Sequence, residues 1–220
     1  MPATVRYDEQ HCPIARALDM LGDRWTLLIL RELIIADQRY TDLAARLPGI
    51  APTLLSKRLR TMTEQGLITT KELPAPAARS VYAVTRRGRE AVTVLRALTR
   101  FGMPLLEEPD DDVVVRPWTA AHAAVGAYFQ PLEAVGIDER YLLRIDGEEF
   151  TMSSVPGGGP PHAKPELVLE GPARVFLDIR QGRTSLRQAI SSGRLAKRGS
   201  ARAVANFERI FRLDSATATE

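Results

Sequence analysis

The chain has 220 residues, 45% of them apolar and 26% charged, which is an ordinary globular composition with room for two domains. No apolar run reaches bilayer length: the longest, Leu27–Leu30 and Leu33–Ala36, is interrupted by Arg31 and Glu32, and the N-terminus lacks a charged-then-apolar leader. Neither secretion nor a membrane partner is expected. The single cysteine, Cys12, excludes an internal disulfide and suits a cytoplasmic location. Charge is uneven: residues 1–105 hold 16 Lys/Arg against 10 Asp/Glu, and residues 106–220 hold 14 against 17. Polyanion binding is therefore expected of the first half.

In chain order, Ile14, Leu18 and Leu21 repeat at helical spacing, and Gly22 stops that helix. Asp23 can cap the next, where Trp25, Leu28, Ile29 and Leu33 share one side and Leu27, Leu30 and Ile34 another. That helix should be buried nearly all round. Thr41–Leu47 predicts a short helix ended by Pro48-Gly49. Pro52 suits a first helical turn, Leu55, Leu59 and Met62 line one face, and Gly66 is a left-handed stop. Ile68–Leu73 and Ser80–Val84 read as strands around a Pro/Ala loop. Thr85 caps a last helix carrying Ala91, Leu95, Leu98 and Gly102. Helix, tight turn, basic helix, hairpin, helix is the layout of a winged helix-turn-helix.

If Leu55, Leu59 and Met62 face inward, Thr53, Ser56, Lys57 and Arg60 face outward, with Leu54 beside them. Short polar side chains let a helix approach DNA closely, while Lys and Arg reach phosphates or guanine edges. Arg58 on the flank and Arg39 ahead of the short helix are phosphate candidates. Arg79, at the hairpin tip, is a candidate for the minor groove. Each charge alone is equally well a solvated surface group; the order of elements favours a double-stranded DNA operator.

Five acids and a proline in Glu107–Asp112 read as a linker. The expected division is 1–106 for the DNA-binding and dimerisation domain, 107–117 for the linker and 118–215 for a second domain. There, Thr119 to about Leu132 predicts a helix. Tyr141–Ile145 and Glu149–Val155 flank the hairpin signal Asp146-Gly147, and Leu167–Leu169 is a third strand. Short helices follow at Val175–Ile179 and Leu186–Ile190, then a short strand at Leu195–Lys197. An amphipathic helix through Ala203, Val204, Phe207, Ile210 and Phe211 ends the domain. The Pro156–Pro161 loop lacks the Lys-Ser/Thr of a phosphate cradle. The overall class is α+β: an N-terminal winged helix-turn-helix and a C-terminal sheet-and-helix domain.

Residues 12–103 resemble the HxlR family of bacterial transcription regulators, relatives of the MarR group. The likeness is carried by Cys12-Pro13, Leu21-Gly22-Asp23-Arg24-Trp25-Thr26, Leu28–Leu33, Arg39-Tyr40, Leu47–Ile50, Arg58-Leu59, Gly66-Leu67, Val81-Tyr82, Thr85 and Gly88. The resemblance implies a homodimer on a near-palindromic operator with half-sites about 34 Å apart. It also implies a possible redox role for Cys12, set against its being a small packed residue. Three departures stand out. Ala51 replaces the usual serine cap, at a cost of about 0.5–2 kcal/mol or one phosphate contact. Ala77-Ala78-Arg79 stands where the wing usually has Pro-Pro. Phe101-Gly102 stands where Trp-Gly is common.

Residues from about Tyr141 to Leu213 resemble the sterol carrier protein type 2 family. The carriers are Leu142–Glu148, Pro165–Gly171, Gly182, Ser192-Gly193-Arg194-Leu195, Gly199 and Phe207–Phe211. That likeness implies a helix-covered sheet around an apolar cavity and a hydrophobic small-molecule effector, with Phe176, Leu186, Ile190, Phe207 and Phe211 as lining. The same residues equally suit a plain core. The rival reading is a lipid-binding or lipid-modifying protein with a secondary DNA-binding domain. His11, His122 and His162 are scattered, no metal spacing or nucleophile elbow occurs, and neither enzyme activity nor a cofactor is expected.

Overall fold

The computed structural model describes residues 11–73, 80–107, 115–155 and 164–213. Arg79 with Ala77-Ala78, the greater part of the acidic linker, His162 and the Pro156–Pro161 loop lie outside them. By contacts the chain divides into two compact units, Met1–Leu95 and Arg96–Glu220. The division falls inside a helix, upstream of the acidic segment. The reason lies in the helix's own end, where Arg100 Nε donates to the Ala127 carbonyl at 2.8 Å, and just beyond it, where Gln181 Nε2 donates to that of Leu106 at 3.3 Å.

The first unit runs α1 (Pro13–Leu21), α2 (Arg24–Ile35), α3 (Tyr40–Arg46), α4 (Pro52–Glu64), β1 (Ile68–Glu72), β2 (Ser80–Val84) and the start of α5 (Arg86–Gly102). Asp23 caps α2 by accepting from the Trp25 amide at 2.9 Å. Apart from Arg24, every α2 residue is buried or half-buried, as its two apolar stripes predict. Ile29, Leu30 and Leu33 meet Leu43, Leu47, Leu55, Leu59 and Met62 in one core. Glu32 is fully buried among them; its Oε1 accepts from Arg31 at 2.6 and 2.9 Å, and Arg46 lies 3.9 Å from its Oε2. A charge inside so apolar a helix needs such neighbours to be tolerated.

β1 and β2 pair antiparallel from Ile68↔Val84 to Glu72↔Ser80, and a bridge between Gln38 and Tyr82 adds a third short rung. Lys71 Nζ reaches Asp37 at 3.0 Å across the same edge. Thr85 Oγ1 donates toward the Gly66 carbonyl (2.7 Å) and accepts from the Gly88 amide (3.0 Å), so one hydroxyl joins the hairpin to α5. Gly88 is required by proximity, because a Cβ there would stand 2.1 Å from the Leu67 carbonyl oxygen. Of the apolar repeat of α1, Leu21 packs against the core, while among the described residues Ile14 stays 70% and Leu18 55% exposed. On α5, Ala91 is buried, but Leu98 and Phe101 are 45% and 74% exposed.

The second unit contains β3 (Arg140–Ile145), β4 (Glu148–Ser153), β5 (Leu167–Gly171), α6 (Ala173–Arg180), α7 (Leu186–Ser191), β6 (Ala196–Gly199) and α8 (Ala201–Ile210). The sheet order is β4-β3-β5-β6, with β3 and β5 parallel and the other pairs antiparallel. Asp146 and Gly147, at φ 47° and 84°, make the tight turn their sequence signals. Tyr141, Leu143, Ile145, Leu167 and Leu169 point into a core shared with Phe176, Leu186, Phe207 and Phe211. The helix expected over Thr119 to about Leu132 is shorter and different. A π-helical turn covers Thr119–Val125, the Gly126 amide reaches back five residues to Ala121, and a 3-10 turn follows at Gly126–Tyr128. Arg180 has its guanidinium 3.7 Å over the Tyr128 ring and donates to the carbonyls of Ala124, Phe211 and Arg212, closing this segment onto the end of α8.

Candidate nucleic-acid interface

The turn between α3 and α4 is built by Leu47-Pro48-Gly49-Ile50. Gly49 adopts φ 88°, a left-handed value that costs glycine least, and the Ile50 amide returns to the Leu47 carbonyl at 3.3 Å. Ala51 stands at the cap of α4 and makes no side-chain cap, as its chemistry requires, while Pro52 opens the first turn. The first-turn amides of Thr53 and Leu54 therefore have no capping side chain and are donors suited to an anion.

The helical period divides α4 sharply. Leu55, Leu59 and Met62 are no more than 1% exposed, whereas Thr53, Ser56, Lys57 and Arg60 face solvent. These four line an open groove together with Pro52 and Tyr40. Tyr40 is the residue that sequence patterning missed. Its hydroxyl donates to the Pro52 carbonyl at 3.0 Å and accepts from Ser56 Oγ at 3.4 Å, which ties the start of α3 to the reading face. Its place in the Arg39-Tyr40 pair was visible, but a contact twelve residues away was not.

The other candidates fall in different surroundings. Leu54 is half-buried and packs against the core. Arg58 is turned inward and pairs with Asp23, the cap of α2, so it joins α4 to α2. Arg60 lies 3.8 Å from Glu64, but both side chains are largely exposed and such a pair holds its members weakly. Among the described residues Lys57 has no ion pair. Arg39 is half-exposed at the cap of α3, where its amide donates to Asp42 at 3.3 Å. Cys12 sits at the cap position of α1, half-exposed and making no cap, and Arg16 one turn on is 3.6 Å from Asp19.

In the second unit, Phe176, Leu186, Phe207 and Phe211 are buried and Ile190 is half-buried against them. Ring centroids lie 4.8 Å apart for Phe207–Phe211 and 5.0 Å for Tyr141–Phe207, so the aromatic side chains contact one another directly. Among the described residues no group of His, Cys, Asp and Glu could hold a metal ion, and no helix is long and apolar enough to cross a membrane.

A three-helix core, a solvent-facing basic helix and a β-hairpin define a winged helix-turn-helix. Residues 20–110 match the family of the HxlR-like helix-turn-helix. The chain is 37% identical over 97 residues to an uncharacterized HTH-type transcriptional regulator of Synechocystis, covering 44% of this chain and 72% of that protein. It is 33% identical over 148 residues to another from Mycobacterium tuberculosis, covering 67% and 85%. A stretch of 148 residues is longer than the first unit, so that likeness reaches into the second. The solved reduced form of the transcriptional regulator YodB from Bacillus subtilis is 24% identical with a TM-score of 0.39, over 46% of this chain and 100% of that one. The chain belongs to the HxlR family of helix-turn-helix transcription regulators.

Proposed function

We propose that the chain regulates transcription as a homodimer, with α4 in the major groove of an operator. Thr53, Ser56, Lys57 and Arg60 contact bases and flanking phosphates; Arg39 and Arg79 add backbone and minor-groove contacts. The observation that carries this reading is the division of α4 into a sealed apolar face and an open polar and basic one. Arg58, on the flank of α4, contacts phosphate only by giving up its pairing with Asp23. The dimer reading is supported by the exposed apolar side chains Ile14 and Leu18 of α1 and, separately, Leu98 and Phe101 of α5, since exposed large apolar side chains grouped on a helix often mark an interface. In vitro selection of bound duplexes tests the function: enrichment of one near-palindromic sequence supports it, and recovery of random sequence refutes it.

An apolar effector acting through residues 118–215, in the cytoplasm, completes the proposal. Its support is the resemblance over Tyr141–Leu213 and the apolar interior. Because Phe176, Phe207 and Phe211 already belong to one packed core, a ligand entering there must displace rings and shift the balance between DNA-competent and incompetent dimers. Native mass spectrometry of the purified protein tests this. Retained hydrophobic ligand that changes operator affinity supports it, and ligand-free protein with no response to a panel of fatty acids and sterols refutes it.

A further inference from the structure

The acidic balance of the second half conceals a strongly basic tract. Residues 172–213 contain ten Lys/Arg and only two Asp/Glu. Both acids are already answered. Asp178 accepts from Arg194 (2.6 Å), Arg183 (3.2 Å) and Arg174 (3.3 Å), and Glu208 from Arg187 (3.1 Å). Arg209 reaches Glu133 at 3.3 Å, and Arg180 is committed to backbone carbonyls. Arg212, next to the Phe211 carbonyl that Arg180 also holds, has a partner of its own. Lys197, Arg198 and Arg202 remain, all exposed and with no ion pair among the described residues.

Their placement is specific. Lys197 and Arg198 lie on β6, the edge strand of the sheet, whose four residues are all exposed. Strand alternation sends the two side chains to opposite faces, so they flank the open edge. Arg202 follows in the first turn of α8, where a cation opposes the helix dipole. That turn is already capped by Ser200, whose Oγ accepts from the Ala203 amide at 3.0 Å, so helix stability does not account for the arginine. The acids across the sheet are engaged elsewhere: Glu170, opposite Ala196, lies 3.7 Å from Arg144, and Glu166 accepts from the Arg140 amide at 2.6 Å. Between the cations stand Gly199, Ser200 and Ala201, small residues that allow a backbone of phosphates to come close.

We propose that Lys197, Arg198 and Arg202 form a second phosphate-contacting surface, by which the C-terminal unit grips the DNA duplex without reading its sequence. The proposal rests on the DNA-binding reading of the chain. Duplex DNA fits better than an anionic membrane because no large apolar side chain is exposed between Ser192 and Ala203, and interfacial membrane sites pair basic groups with apolar anchors. A charge on an edge strand also prevents edge-to-edge pairing. Glutamate would serve that purpose equally, so charge reversal separates the two roles.

The test uses the full chain carrying K197E, R198E and R202E together, with the triple glutamine variant as a second form should the first not fold. Glutamate at position 202 suits the start of α8, so folding should be retained. Affinity for a random-sequence duplex and for the selected operator is measured across salt concentration. The expected result is a salt slope shallower by about 2–3, from the loss of three phosphate contacts, with both duplexes weakened by a similar factor of about tenfold or more. An unchanged slope in the folded variants overturns the proposal. Unchanged DNA binding with lost affinity for phosphatidylserine vesicles overturns it in favour of a membrane surface. A wild-type protein that binds duplexes without preference would instead refute the reading role of α4, and the slope comparison would still stand.

Discussion

Asp23 holds two helices at once: one carboxylate oxygen accepts from the Trp25 amide at the start of α2, and the other is paired with Arg58 of α4. The pair is about 30% exposed on each side, so solvent screens it, and its main effect is to orient α4 on α2. Asp23→Ala should cost about 1–2 kcal/mol in urea unfolding, through the lost cap and the unpaired arginine. Arg58→Ala should leave the salt slope of DNA binding unchanged. A slope shallower by about one would return Arg58 to the phosphate contacts.

Tyr40 sets the edge of the groove. Tyr40→Phe removes the hydroxyl that donates to the Pro52 carbonyl but keeps the ring. Operator affinity should fall about three- to tenfold, the worth of one hydrogen bond, with little change in melting temperature. Equal loss of stability and affinity would make Tyr40 a purely structural residue.

The bare apolar faces of α1 and α5 predict assembly. Phe101→Glu, at a side chain 74% exposed, should shift the protein to monomer in sedimentation analysis and weaken operator binding about 100-fold or more, because two half-sites are no longer read together. A stable dimer in that variant, and in Ile14→Glu, would place the interface elsewhere.

Asp178 predicts an acid limb. Burial pushes its carboxyl up, but the guanidiniums of Arg194, Arg183 and Arg174 outweigh that and hold it below the ordinary carboxylate range. A carboxylate depressed on folding adds stability above its unfolded pKa of about 3.9, and that stability is lost as pH falls through the folded value. Asp178→Asn should therefore destabilise the second unit at neutral pH by on the order of 2–3 kcal/mol, less than for a fully buried pair because the arginines are partly exposed. The difference from wild type should narrow below about pH 4. A difference constant from pH 7 to 2 would contradict it.

Much of this was legible in the chain. The Leu55-Leu59-Met62 stripe, the Asp23 cap, the Gly49 turn and the Asp146-Gly147 hairpin depend on local spacing, and sequence shows spacing directly. What escaped depends on distance along the chain. The partner of Arg58 is 35 residues away, and Ile14 and Leu18 of the α1 repeat are exposed while Leu21 packs on the core. The helix expected through Leu132 leaves helical geometry at Phe129, just ahead of Gln130-Pro131, and its π-turn has no local signature. The basic tract of residues 172–213 is masked in the net charge of the second half by the acids that precede it.

The central claim is that the open face of α4 reads sequence. The most direct measurement compares affinity for the selected operator and a shuffled duplex, in wild type and in the Lys57→Ala/Arg60→Ala pair. Wild type should prefer its operator by about 1,000-fold or more, and the paired variant, melting as wild type does, should lose at least tenfold of that preference. An undiminished preference in a folded double variant would contradict the claim.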